Sequence, residues 1–170
     1  MGGDVTSGGG FSSVYDVPDW QKAAVDSYFA KVDGTAVAPI AGYSRGGRGY
    51  PDLSMAGTRF VVVIGGGFAG IGGTSVATPS MAGIISLVNA ARFTAGGNAL
   101  GWLNPALYMH HESFARDITS GRNQCTSLTT CCTQGFEAAA GWDPASGLGS
   151  LDFVKFRNTM LSVAGLPVPV

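Results

Sequence analysis

The sequence predicts an α/β fold with a parallel sheet. Three observations point there. Arg59-Phe-Val-Val-Val-Ile64 is a β-branched run without alternation, the pattern of a strand buried on both faces. The segment that follows, residues 74–93, reads as a helix that is apolar or small on every side, Ala77, Met81, Ile84, Ile85, Leu87 and Val88 among it. Such a helix belongs in the middle of a domain. Strands then alternate with helices along the chain, as in parallel-sheet folds.

The elements follow in order. Residues 1–15 are rich in Gly and Ser and read as a loop. Asp16 is placed to cap a helix that starts near Pro18, runs through Trp20, Ala24 and Tyr28 and stops at Asp33-Gly34. Residues 35–50 read as loop, and 51–55 as a short strand or its end. Gly65-Gly66-Gly67 is a turn between the 59–64 strand and a second short strand at 68–71. Gly96-Gly97 ends the apolar helix. Asn104 caps a short helix with Pro105 in its first turn, ending near His111. Residues 112–150 form a long irregular region, and a last helix covers about 152–162. The organisation expected is one domain portion over 1–165 with a frayed tail at 166–170.

Composition narrows the function. Of 170 residues, 45% are apolar and only 12% charged, where about 25% is usual. A disordered tail is excluded on that ground. Ten Lys and Arg against eleven Asp and Glu leave a net charge of −1, so no basic field draws in nucleic acid. No stretch reaches the roughly 18 apolar residues of a membrane span. No basic n-region and apolar h-region open the chain, so no signal peptide is expected. The three cysteines, Cys125, Cys131 and Cys132, share one polar loop. That odd count suggests a local disulfide and one thiol whose partner lies elsewhere.

One motif carries chemistry. Gly72-Gly73-Thr74-Ser75-Val76-Ala77-Thr78-Pro79 lies between a strand and the apolar helix. A serine in the first turn of a helix sits beside unpaired N–H groups and the positive helix end. That setting favours the negative charge that develops in acyl transfer, and the glycines admit a substrate backbone. On helix grammar alone, Thr74 or Ser75 reads as a simple N-cap. The hydrolase elbow Gly-x-Ser-x-Gly is not met, because Ala77 holds its last position. His110 and His111 follow at the end of a short helix and read as surface or packing residues.

The octet, followed by Ser80-Met81-Ala82-Gly83, resembles the nucleophile segment of subtilisin-like serine peptidases. Further segments match in order: Ser7-Gly-Gly-Gly-Phe-Ser12, Pro18-Asp-Trp20-Gln21, Arg48-Gly-Tyr50-Pro51-Asp52-Leu53, Leu100-Gly-Trp102-Leu103-Asn104-Pro105, Asp117-Ile118-Thr119 and Gly141-Trp142-Asp143-Pro144. Together they make the chain similar to the C-terminal part of a sedolisin, the serine-carboxyl peptidase family. The resemblance covers about residues 7–160. It implies a subtilisin-like parallel sheet sandwiched by helices, of which this chain is the C-terminal portion.

The resemblance also implies a mechanism. Ser75 is the nucleophile. The family's base is a Glu oriented by an Asp four residues away, and a protonated Asp donates to the oxyanion. A carboxylate still accepts a proton in acid, where His is already charged. The only Glu residues here, Glu112 and Glu137, come after Ser75, and neither has an Asp four residues on. The expectation is therefore an acid-acting endopeptidase or tripeptidyl-peptidase whose base and oxyanion Asp are absent from this chain, inactive until joined by the missing N-terminal half. The alternative is a non-catalytic remnant that binds peptide or a partner chain. The resemblance further implies a Ca²⁺ site from the carboxylates of Asp117 and Asp143 and the main-chain oxygens of Ile118, Ala139 and Gly141. It implies a local bridge from Cys125 to Cys131 or Cys132, a peptide or protein substrate, and a lysosomal or extracellular parent.

Overall fold

The computed structural model describes residues 6–125, 130–164 and 166. The expected tail beyond Leu166 and the start of the chain before Thr6 lie outside the described residues. Six strands and four helices follow one another as β1 Gly10–Asp16, α1 Asp19–Val32, β2 Gly47–Tyr50, β3 Phe60–Ile64, β4 Gly67–Ile71, α2 Thr74–Thr94, α3 Asn104–His110, β5 Ala115–Arg116, β6 Ser150–Leu151 and α4 Phe153–Ser162. A 3₁₀ turn at His111–Ser113 links α3 to β5.

The core forms where α1 meets the β1–β2 pair and the Trp142 loop. Phe11 on β1 stacks on Phe29 with ring centres 5.2 Å apart and meets Trp142 edge-on at 5.9 Å. Tyr28, Phe29, Val25 and Val32 give α1 its buried face. On the other side Phe114, Phe156, Met160, Leu107 and Val88 complete the same cluster. Gly49 is required where β2 crosses the indole: a Cβ there meets Trp142 at 2.4 Å. Buried Gln21 clamps β2 to α1, accepting from the Gly49 N–H at 2.9 Å and donating to the Gly49 carbonyl and to Tyr108 Oη at 2.6 Å each.

Several expectations change. The glycine-rich start is not all loop: Gly10–Asp16 pairs antiparallel with β2, because Phe11 carries the strand into the core. Asp16 ends that strand instead of capping α1. Pro18 holds the cap position, without a side-chain cap. Residues 51–55 form no strand, although Ser54 N–H reaches the Gly149 carbonyl at 3.0 Å. Asn104 is the first residue of α3, and its side chain is engaged by Asp52 instead of a helix N–H. Asp152 does cap α4, accepting from Lys155 N–H at 3.1 Å.

The mixed helix and strand fold is as expected, and within it the pairing of the described strands differs. All three described ladders, β1–β2, β3–β4 and β5–β6, are antiparallel pairs, and none of the described strands pairs in parallel. β3 and β4 form a hairpin in the register Phe60↔Ile71 to Ile64↔Gly67. Gly65 and Gly66 turn it with φ of 59° and 82°, the pair of positive values that a tight hairpin turn needs. No residue of that hairpin is buried, against the expectation of a strand covered on both faces. Only Val76 and Val88 of the 21 residues of α2 are buried, so the helix read as central is open along one side. The physical reason is simple: none of the described elements covers these faces.

Candidate active site and calcium loop

Gly73 (φ 126°) takes the N-cap of α2, and Val76 and Ala77 N–H return to its carbonyl at 3.1 and 3.4 Å. Neither Thr74 nor Ser75 serves as the cap, and no side-chain cap bond forms. Ser75 is exposed in the first turn, with its hydroxyl unclaimed by the helix. The turn is fixed from below: Gly73 N–H donates to the Gly57 carbonyl at 2.6 Å, and Gly57 leaves room for that approach, since a Cβ there meets the Gly73 oxygen at 3.1 Å.

Beside this turn lies a cavity of about 530 Å³. Its walls are the segment 51–58, the α2 face of Thr74, Ala77, Thr78 and Met81, and Leu103 to Leu107 of α3, with Phe156 at the back. A polar hub closes one end. Arg48 Nη2 holds both Asp52 oxygens at 2.7 and 2.6 Å, Tyr108 Oη donates to Oδ1 at 2.8 Å and Asn104 Nδ2 to Oδ2 at 2.9 Å. Burial, then the Asp52 charge, push the Tyr108 phenol far above its usual range. The sequence points to Arg48 and Asp52 only through the resemblance and to Asn104 also as a helix cap, and the hub they form was missed. A charged pair bracketing a proline in a charge-poor chain was the available signal.

Neither Glu lines the cavity beside this turn, and the carboxylate that does is Asp52. Glu137 reaches Arg122 at 3.6 Å in a distant loop, and Glu112 is exposed in the 3₁₀ turn. His111 Nδ1 lies 2.9 Å from the Tyr108 carbonyl, and His110 lines a second cavity with Ser113 and Ser162. The histidines are packing and surface groups, as expected.

The residues expected at calcium lie in two neighbouring hydrogen-bonded turns, one around Asp143 and one joining Asp117 to Gly141. Asp143 is fully buried. Its carboxylate accepts from the N–H groups of Ala139, Ala145 and Ser146 at 3.1, 2.9 and 2.8 Å, and from Ser146 Oγ. Ser146 Oγ also lies 3.4 Å from the Ile118 carbonyl oxygen. Asp117 Oδ2 accepts from Gly141 N–H at 2.7 Å. Ala139 and Gly141 thus engage the carboxylates through N–H groups. Desolvation raises the Asp143 carboxyl pKa despite those donors. Tyr28 Oη, fully buried and also raised by burial and Asp143, has no partner among the described residues. Among those residues no three His, Cys, Asp or Glu side chains cluster as a metal site. The expected set uses two carboxylates and main-chain oxygens, and a buried anion beside turn carbonyls fits a hard cation. Cys125 bridges to Cys131, leaving Cys132 exposed and free.

No family model matches the chain. Curated relatives do. The chain is 39% identical over 168 residues to tripeptidyl-peptidase sed1 of Aspergillus fumigatus, covering 92% of this chain and 25% of that protein. It is 40% identical over 166 residues to aorsin of Aspergillus oryzae, covering 92% and 24%, and 34% identical over 160 residues to human tripeptidyl-peptidase 1, covering 94% and 28%. The structure matches Pseudomonas sedolisin, a serine-carboxyl proteinase solved with two molecules of pseudo-iodotyrostatin, at a TM-score of 0.65 and 28% identity. That match covers 91% of this chain and 36% of the sedolisin. The chain belongs with the sedolisins. It corresponds to a C-terminal part of them and spans about a quarter of the length of the curated relatives it matches. No helix of the described residues is long and apolar enough to cross a membrane.

Proposed function

We propose that this chain is the nucleophile-bearing part of a serine-carboxyl peptidase, with Ser75 as the attacking residue. The observation that carries the reading is the exposed Ser75 in the first turn of α2, free of the capping role that helix grammar gives it, in a chain 34 to 40% identical to tripeptidyl-peptidases and aorsin. Ser75 Oγ attacks the scissile carbonyl and forms an acyl-enzyme, which water then hydrolyses. The Thr74 and Ser75 N–H groups, which have no carbonyl partner within the helix, face the charge that develops on the carbonyl oxygen. The hydroxyl proton needs a carboxylate that works in acid, and neither Glu of this chain lines the cavity beside the Ser75 turn. The base therefore comes from an N-terminal part, and the chain alone is inactive. The substrate is a peptide or protein, cut internally or as N-terminal tripeptides, and the parent is lysosomal or extracellular.

Asp117, Asp143 and the carbonyls of Ile118, Ala139 and Gly141 hold Ca²⁺ when it is present. The ion supplies the positive charge that buried Asp143 lacks and ties the 115–149 region together. The direct test is hydrolysis of a fluorogenic peptide by the purified chain and its Ser75→Ala variant between about pH 3 and pH 7. Equal background rates are expected. Ser75-dependent turnover by the chain alone would contradict the absence of a base.

A further inference from the structure

Lys31 lies in the last turn of α1, the helix whose Val25, Tyr28, Phe29 and Val32 are anchored in the core. Tyr28 meets the Trp142 ring edge-on with ring centres 6.0 Å apart, which holds the helix against the 139–143 turn. From this platform the Lys31 ammonium donates to the Ala140 carbonyl at 2.6 Å. The other half of the same peptide unit is engaged as well, because Gly141 N–H donates to Asp117 Oδ2 at 2.7 Å. The bond between Ala140 and Gly141 does not precede proline and is trans, so its C=O and N–H point in opposite directions. One rigid peptide plane therefore stands between an ammonium and a carboxylate. Both hydrogen bonds are charge-assisted, and each polarises the amide in the sense that strengthens the other. Gly141 completes the fit: its φ is 85°, and a Cβ there comes within 3.4 Å of the Lys31 nitrogen. Lys22 of the same helix spends its charge on Asp26 at 3.0 Å, whereas among the described residues Lys31 is in no ion pair.

We propose that Lys31 is a positioning residue for the cation site around Asp117. By holding the Ala140 carbonyl it fixes Gly141 N–H on Asp117 and so orients that carboxylate. This rests on the calcium reading given above and adds to it a residue outside the ligand set. The sign of the effect separates it from simple electrostatics. Charge alone says that removing an ammonium beside the turn tightens Ca²⁺ binding, because like charges repel. Positioning says that the same change weakens it, because outer partners orient the ligands of a metal.

The test compares the purified chain with three variants. Lys31→Met keeps the stem and removes the donor, and Lys31→Arg keeps a cationic donor. Lys22→Met removes the same charge nine residues earlier on α1, about 13 Å along its axis. Calorimetric titration of the chelator-treated proteins with Ca²⁺ reads affinity. Lys31→Met should weaken binding about three- to tenfold, Lys31→Arg should stay within about twofold of wild type, and Lys22→Met should change nothing. Unchanged or tighter binding in Lys31→Met overturns the proposal, as does a loss that Lys31→Arg shares. Hydrogen exchange at Gly141 N–H, followed by NMR in chelator, reads the clamp without the metal. Exchange about tenfold faster in Lys31→Met is expected, and equal exchange overturns the clamp. Wild type that takes up no Ca²⁺ while Gly141 exchange still depends on Lys31 removes the calcium reading and leaves the hold of Lys31 on Asp117 standing. Ca²⁺ binding indifferent to Lys31 does the reverse.

Discussion

Replacing Asp52 with alanine removes the acceptor shared by three donors at the end of the cavity. Arg48, Tyr108 and Asn104 all reach that carboxylate within 2.9 Å. Arg48 loses least, because its side chain is 22% exposed and still donates to the Gly49 carbonyl and lies 5.5 Å over the Trp20 ring. Partial exposure discounts that pair to about 1 kcal/mol. Tyr108 loses most: its hydroxyl continues to accept from Gln21, but its own proton has no other acceptor in a site it shares with buried Gln21. An orphaned buried donor costs about 1–3 kcal/mol. The expected destabilisation is about 2–4 kcal/mol, a large share of the roughly 5–15 kcal/mol that holds a domain. Urea denaturation followed by circular dichroism measures it. Tyr108→Phe in the Asp52→Ala background should cost much less than Tyr108→Phe alone, since its partner is already gone. A loss below about 1 kcal/mol for Asp52→Ala, or additive effects in the double variant, would refute the hub as the link between α3, β2 and the cavity.

Two further predictions concern the calcium loop. Desolvation raises the Asp143 carboxyl, so its contribution to stability is whole below its ordinary value of 3.8 and is lost as pH rises through the folded value. In chelator, wild type should gain stability relative to Asp143→Asn as pH falls from neutral, and Ca²⁺ at neutral pH should stabilise wild type alone. At a hundred times its Kd the ion adds about 2.7 kcal/mol, or roughly 5–10 °C in melting temperature, and equal shifts in both proteins would exclude Asp143 as a ligand. Tyr28→Phe removes a buried hydroxyl without a partner among the described residues, so thermal stability should hold or rise by up to about 1 kcal/mol; a clear loss would mean that a water or ion bonds it.

The helices were legible because their signals are local. The last helix was read over about 152–162 and runs over Phe153–Ser162, and Gly96 and Gly97 follow the end of α2. The β3–β4 hairpin was legible too, from its β-branched run and its glycine turn, whereas β1 was not, because glycine content masks pairing. β1 lies in a Gly-Ser stretch, and only Phe11 reveals that it enters the core. β3 read as buried because hydrophobicity reports what a segment needs covered, and no element here covers it. The same gap explains the site. Gly73 and Ser75 were legible as a motif at the start of a helix. The Asp52 hub joins positions 48, 52, 104 and 108, and such distant pairing has no periodic signature.

The most direct test of the account joins this chain to the preceding stretch of a sedolisin catalytic domain in one polypeptide. Peptide hydrolysis is then compared between that protein and its Ser75→Ala variant across acidic pH. The account predicts acid-favoured turnover that falls by about a thousandfold or more without the Ser75 hydroxyl. Turnover that survives Ser75→Ala would contradict it.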